Sequence, residues 1–456
     1  MANSNDDSKN YKKTSLEKAW HDALTPFEEF VHDEASSGLL LMACAILAMV
    51  AANTGLVHFY EAVLHTELSI NIGPYSMSRT IHHWINDGLM ALFFLMVGLE
   101  IKREVLIGEL AEIRKAVLPI GAAIGGMVIP ALIYTSINSG TDASSGWGIP
   151  MATDIAFAVG VLALLGNRIP KPLIAFLLAL AIVDDLGAVI VIALFYTAEI
   201  NLLALGFAGI ALVMLIGINR LGVRNPLPYM LIGFFMWLGM MESGIHATLA
   251  GVLTALTIPA DSRFKGADFS EKITVLMARF KKADHPQRSI LENSEQQAIM
   301  QTMENYVHNM ESPLQRVEYG MHLWVSFFIV PLFALANAGI TINFSELGNM
   351  IAHPVTMGIS IGLVAGKVLG VFGFSWIVVK MGWSSLPDKV TMPMIGGVSL
   401  LAGIGFTMSI FIAGLAFSEQ MNYLLNAKVG IILASLISGV AGYLVLRKVI
   451  STPAQK

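Results

Sequence analysis

The stretch PLIAFLLALAIVDDLGAVIVIALFYT, residues 172–197, decides the fold. A bilayer-spanning helix needs about 20 predominantly apolar residues, and this run is long enough to cross. Two carboxylates, Asp184 and Asp185, stand in its middle, and a second apolar run near 147–166 carries Ala152-Thr153-Asp154. An aspartate at the centre of a spanning helix costs roughly 2.5 to 3.5 kcal/mol, so three amount to about 7 to 11 kcal/mol before compensation. Acids kept at that cost need a partner or a task. A cluster of them in a membrane interior points to a site that exchanges cations or protons.

The whole chain agrees with a membrane interior. Its 456 residues are 55% hydrophobic and 13% charged, and the mean hydropathy is +0.67. That is far too apolar for a soluble protein of this size, so a polytopic membrane protein is expected. A net charge of -5 and the lack of a basic, aromatic-interleaved face exclude a nucleic-acid partner. A single cysteine, Cys44, rules out an intrachain disulfide and CxxC-type metal spacing. Residues 1–36 are polar and lack a short apolar core with a cleavage site, so the first helix is expected to be retained behind an N-terminal cytoplasmic segment.

Apolar runs place twelve transmembrane helices near 37–57, 82–106, 116–138, 147–166, 172–197, 202–219, 227–240, 245–259, 317–340, 355–379, 393–417 and 424–447. With this count, 25 of the 28 lysines and arginines fall on one side. By the positive-inside rule that side is cytoplasmic, with both termini on it. Arg79 lies on the other side with Lys428 close to it, and Lys367 is left inside the membrane. Merging the short seventh and eighth spans would break the alternation.

Residues 58–81 link the first two spans, and the alternation around Gly73-Pro74 suggests an outer-face β-hairpin. The stretch 260–316 reads as a flexible cytoplasmic loop with one surface helix near Ile273 to Phe280, and 449–456 as a cytoplasmic tail. Glycine and proline mark two breaks. Gly146-Trp147-Gly148-Ile149-Pro150 precedes Thr153-Asp154, and Gly403-Ile404-Gly405 precedes Thr407 in the eleventh span. Broken helices are tolerated in membranes only where they are buried or line a cavity. The glycines of Gly121-xxx-Gly125 read instead as a close helix contact. The two breaks fall in helix triplets of opposite orientation, as expected for inverted-topology repeats with two discontinuous crossing helices.

Five segments carry a family resemblance. Gly98-Leu-Glu-Ile-Lys-Arg-Glu104, Met151-Ala-Thr-Asp-Ile-Ala-Phe-Ala158, Ala179-Leu-Ala-Ile-Val-Asp-Asp-Leu-Gly187, Pro331-Leu-Phe-Ala-Leu-Ala-Asn-Ala-Gly339 and Gly403-Ile-Gly-Phe-Thr-Met-Ser-Ile410 resemble, in order, the signature segments of NhaA-type sodium/proton antiporters. The likeness runs over about 36–448, the membrane domain being 37–448. It implies an electrogenic, pH-regulated exchanger of internal Na+ and Li+ for external H+ in the bacterial inner membrane. It further implies a homodimer in contact with membrane lipid, no cofactor and no enzymatic activity.

The resemblance also assigns roles. Asp184 and Asp185 would carry sodium and protons, Asp185 as the more direct ligand, since neighbouring helical residues point about 100° apart. Thr153 and Asp154 would supply oxygens of the kind a hard cation prefers. Lys367 would either pair with Asp154 or carry a proton. Glu100, Arg103, Glu104, Glu318 and His322 would form a cytoplasmic funnel that responds to pH, or a plain salt-bridged face. Tyr319 follows Glu318 where histidine is common in the family, and tyrosine does not titrate near neutrality. Asp87, His246 and Thr407 are weaker candidates: the first two also suit helix boundaries, and Thr407 suits a half-helix end. A passive cation channel and an intramembrane aspartyl protease are the rival readings; the protease reading finds no Gly-x-Gly-Asp setting and no role for Lys367.

Overall fold

The computed structural model describes residues 34–72, 75–197, 200–262, 266–284, 290–341 and 345–451. Helix α1 (Glu34–Ala52) ends five residues before the expected span does, and the chain turns by 111° into α2 (Val57–His65). Strands β1 (Glu67–Ile72) and β2 (Tyr75–Thr80) pair antiparallel with Leu68 opposite Arg79. The Gly73-Pro74 turn itself lies outside the described residues. Helix α3 then runs as Ile81–His83, a π segment Trp84–Leu89, and Met90–Ile107.

Next come α4 (Ile113–Asn138), a 3-10 segment Asp142–Met151, α5 (Ile155–Ala163), α6 (Lys171–Phe195), α7 (Leu202–Arg220), α8 (Pro226–Met241) and the short α9 (Thr248–Thr257). Asn201 and Asn225 cap α7 and α8 by accepting backbone N–H bonds that the first turn cannot satisfy. The expected single surface helix in 260–316 is corrected to two, α10 (Gly266–Lys282) and α11 (Ser294–Met310). They bury Leu276, Ala283 and Ile299 against each other. Each has one apolar stripe, and pairing hides both.

Helix α12 comprises Pro313–Trp324, a π segment Val325–Ile329 and Val330–Asn337. A short α13 (Leu347–Ala352) precedes α14, which runs as Pro354–Ile361, π segments Gly362–Gly366 and Val368–Phe372, and Gly373–Lys380. Then follow α15 (Met392–Leu401), α16 (Phe406–Ala416), bent by 48° from α15, and α17 (Met421–Ser451). Among the described residues seven helices are long and apolar enough to cross a membrane, or nine with each bent pair counted as one span. The fold is an all-α polytopic membrane protein.

Two packed groups share this length. A smaller core joins α3 to α7, α8 and α9 through Leu95, Leu99, Leu215, Tyr229, Met236 and Ala255. Backbones approach closely there: a Cβ on Gly98 would lie 2.7 Å from that of Ala255. The larger core is built from α1, α4, α5, α6, α12 and α14 to α17, with Ile85, Met90 and Phe94 of α3 joining it. Within it α14 lies on α4 along glycines spaced by four. A Cβ on Gly358 would strike Asn138, on Gly362 the ring of Pro150, on Gly366 Pro130, and on Gly370 the Gly125 carbonyl. Gly121 similarly faces Val378. Small residues at helical spacing let two backbones touch, and this contact brings Lys367 deep inside.

Candidate functional site

Both breaks meet at Asp154. After the 3-10 segment, Ala152 and Asp154 are extended, and α5 starts with Asp154 as its N-cap. Its Oδ1 accepts the Phe157 N–H at 3.1 Å. Its Oδ2 accepts the Thr407 N–H at 2.9 Å and the Thr407 hydroxyl at 2.5 Å, at the first turn of α16. One carboxylate therefore serves the positive ends of two half-helices, where a negative charge is favoured. The crossing is closed by backbone as well: Asp154 N–H donates to the Ile404 carbonyl at 2.7 Å, and Ser409 Oγ to that of Ile149 at 2.8 Å. Carbonyls freed by the breaks thus find donors inside the protein.

Asp184 and Asp185 project from α6 into different surroundings, and both are about 1% exposed. Asp184 Oδ2 sits 2.5 Å from Lys367 Nζ and accepts the Thr153 hydroxyl at 2.7 Å. Of the two readings of Lys367, the pairing with Asp154 is thus corrected to a pairing with Asp184. The physical reason is packing, since α14 lies against α4, and a Cβ on Gly126 would come 3.6 Å from Lys367 Cδ and Nζ. The space kept by that glycine holds the lysine stem. Asp184 Oδ1 and Asp185 Oδ1 are buried without a hydrogen-bond partner. Unsatisfied buried carboxylate oxygens are expensive, so these are the atoms with capacity left for a proton or a cation.

Asp185 lines a cavity of about 350 Å³ that Asp184 and Lys367 do not line. Asp154, Thr407, Met96, Val97 and Val330 also line it, as do Glu100, Arg103, Glu318 and His322 at its charged end. Arg103 is central to that end. Its guanidinium lies 3.1 Å from Glu318, 3.4 Å from Glu104 and 4.0 Å from Glu100. His322 contacts Ser326 Oγ at 3.3 Å, while Tyr319 is exposed. The arrangement is an acid-lined path from a charged mouth to one of two adjacent carboxyls. Among the described residues no three carboxylate, imidazole or thiol side chains converge on one point, so a bound ion would also need hydroxyl, carbonyl or water oxygens.

Two candidates lie elsewhere. Asp87 Oδ2 lies 3.0 Å from His83 Nε2, and the Asp87 carbonyl accepts the Trp237 indole N–H at 3.2 Å. His246 contacts the Tyr196 carbonyl at 2.5 Å, in the turn ahead of α9. Both sit at the hairpin end of the bundle, remote from the cavity. The sequence reading missed the ring contacts of Phe411 with Phe94 and with Phe333, which join α16 to α3 and α12. Apolar residues in apolar helices give no sequence signal of such a contact.

Comparison with known proteins agrees with this geometry. The profile of the family described as Na+/H+ antiporter 1 matches residues 28–446. Na(+)/H(+) antiporter NhaA 1 of Saccharophagus degradans is 51% identical over 432 residues, covering 95% of this chain and 93% of the relative. Na(+)/H(+) antiporter NhaA of Sulfurimonas denitrificans is 49% identical over 431 residues, covering 94% and 97%. That of Oleidesulfovibrio alaskensis is 48% identical over 426 residues, covering 93% and 94%.

Proposed function

From the premise that this chain belongs to the Na+/H+ antiporter 1 family and exchanges sodium for protons as a transporter and not an enzyme, we propose how its buried acids divide the work. The observation that carries the reading is the split between neighbours: Asp184 is held by Lys367 and Thr153, while Asp185 faces the cavity. Sodium entering the cavity meets Asp185 first and displaces its proton. A cation shared with Asp184 weakens the attraction that keeps Lys367 charged, and the lysine gives up a second proton. More than one proton then moves per sodium, which makes the exchange electrogenic. Two carboxyls this close in a low dielectric titrate as a pair, so sodium and protons compete for one unit.

The same reading orients the molecule. The basic end, with Lys102, Arg103, Arg114 and Lys115, is cytoplasmic, and both termini lie there. The chain then sits in the bacterial inner membrane as twelve spans with inverted repeats, the structure being open to the cytoplasm. The Arg103 cluster at the mouth sets the pH response, lithium follows sodium into the site, and the β1–β2 hairpin joins two copies. A cavity that reaches Asp154, Asp185 and Thr407 and is lined by neither Asp184 nor Lys367 supports a carrier over a passive channel. The test is sodium-dependent collapse of a pH gradient in everted vesicles. Wild type collapses the gradient and Asp185→Asn does not; full exchange by Asp185→Asn would overturn the assignment.

A further inference from the structure

A second cavity, of about 610 Å³, lies between α3, α8, α9 and α12, with Leu68 of β1 on its wall. Among the described residues it shares none of its lining with the cavity that reaches Asp185, and Thr254 is its one polar side chain apart from two indole N–H groups. Of the lining residues, Leu95, Trp237 and Ala250 are buried, whereas Leu68, Leu92, Phe234 and Phe328 are exposed. Along α3 the lining runs from Ile81 to Leu95 at helical spacing. That stripe is about 21 Å long at 1.5 Å per residue, and the hydrocarbon of one leaflet is roughly 15 Å deep. An acyl chain fits lengthwise against it.

Gly88, Gly233 and Gly251 all line the cavity. At Gly233 and Gly251 a Cβ would strike Thr254 and the Ala91 carbonyl, so these two set how closely the helices pack. At Gly88 a Cβ would rest 3.7 Å from the Trp84 ring and 3.8 Å from that of Trp237, which is ordinary contact, so the missing side chain leaves room. Trp84 Nε1 donates to the Leu68 carbonyl at 3.3 Å and Trp237 Nε1 to the Asp87 carbonyl at 3.2 Å. Indoles bonded at one edge and apolar elsewhere suit the boundary between headgroups and chains. Leu68 pairs with Arg79 across the hairpin, and cross-strand partners share one face. Arg79 stands 3.6 Å from Glu242 with its side chain 42% exposed, which leaves guanidinium donors for a phosphate. An apolar cavity offers water no partners, and at this depth of a bilayer the medium that fills it is hydrocarbon.

We propose that this cavity holds one acyl chain of a phospholipid from the leaflet at the hairpin end, with the phosphate beside Arg79. The site rests on the chain spanning a bilayer and is independent of how the buried acids exchange ions. Leu332 packs on the larger core, and Trp237 and Ala250 belong to the smaller. The bound chain is therefore a packing element between the two groups.

The test is photolabelling of the full chain in proteoliposomes with a phosphatidylcholine that carries a diazirine in its acyl chain, followed by peptide mass spectrometry. In the wild type the label reaches Trp237 and Leu95, which are buried, as well as Leu203 on α7, which is exposed. Gly88→Leu occupies the cavity, so label at Trp237 and Leu95 falls on the order of tenfold, as expected when added side-chain volume excludes a chain. Label at Leu203 stays unchanged. Wild-type label at Leu203 alone, or label at Trp237 that survives Gly88→Leu, overturns the proposal. Label that reaches Trp237 only after dilution to single copies assigns the cavity to a second copy and overturns it too. Should Gly88→Leu fail to assemble, Leu92→Trp narrows the same space and gives the same selective loss; label at Leu95 that survives it overturns the proposal. Failure to label Leu203 in the wild type would refute the bilayer placement, and the proposal with it.

Discussion

Replacing Lys367 by methionine isolates the energetics of the buried pair. Lys367 Nζ and Asp184 Oδ2 are 2.5 Å apart with both side chains wholly inaccessible to solvent. Without the ammonium, the Asp184 carboxylate keeps one donor, the Thr153 hydroxyl at 2.7 Å, and its Oδ1 stays unbonded. Leaving a buried charge unpaired costs about 3 to 5 kcal/mol. The alternative is to take up a proton. A carboxyl that ionises near 3.9 in water is held neutral at pH 7 for roughly 3 units at about 1.4 kcal/mol each, or about 4 kcal/mol. The two routes agree, so Lys367→Met loses about 4 kcal/mol at pH 7 and about 1.5 kcal/mol at pH 5.

The sign follows from proton linkage: the folded variant holds a proton that the unfolded chain releases above about pH 4, so its stability falls as pH rises. Lys367→Met combined with Asp184→Asn removes both charges while the amide oxygen still accepts from Thr153. The double variant recovers most of the loss. Thermal stability by fluorescence-detected size exclusion at pH 7 and pH 5 checks this. Single and double variants that melt together at pH 7, or a gap between them that does not narrow at pH 5, would refute the reasoning.

Gly370→Ala is expected to destabilise by about 1 to 3 kcal/mol through overpacking, because its Cβ would strike the Gly125 carbonyl; Gly373→Ala, with nothing within 4 Å, is the matched control and melts like wild type. Tyr60→Phe removes the bond to the Leu335 carbonyl and costs about 1 kcal/mol. Burial pushes the Tyr60 phenol up to about 12, so the hydroxyl stays protonated and the Tyr60→Phe deficit is constant between about pH 6 and 9; a deficit that varies over that range contradicts the bond.

Much of this was legible because membrane physics is severe. Asp154, Asp184, Asp185 and Lys367 stand out in apolar runs, where every charge is an exception. The glycines beside Asp154 and Thr407 marked the breaks, since few other residues allow a helix to stop inside a membrane. Pairings between distant segments were not legible. Lys367 meets Asp184 through the seating of α14 on α4, which depends on Gly362, Gly366 and Gly370 acting together across a third dimension. The turn after Ala52 was signalled by Asn53-Thr54-Gly55 but hidden by the apolar Leu56 and Val57 that follow, which prolong the run. The α10–α11 pair was hidden for the opposite reason: its stripes are short and its charges mixed, so the helices find their core only in each other.

The bonding of Asp154 has a mechanical consequence. Its two oxygens tie the start of α5 to the start of α16, and its own N–H grips the chain just ahead of α16. Two independent breaks would give two loose joints with many ways to bend. A single pin through both leaves one hinge, so a tilt of either half-helix obliges the other to follow. Occupancy of the adjoining carboxyls then acts on one shared coordinate, and a small ion can be felt along the length of two crossing chains.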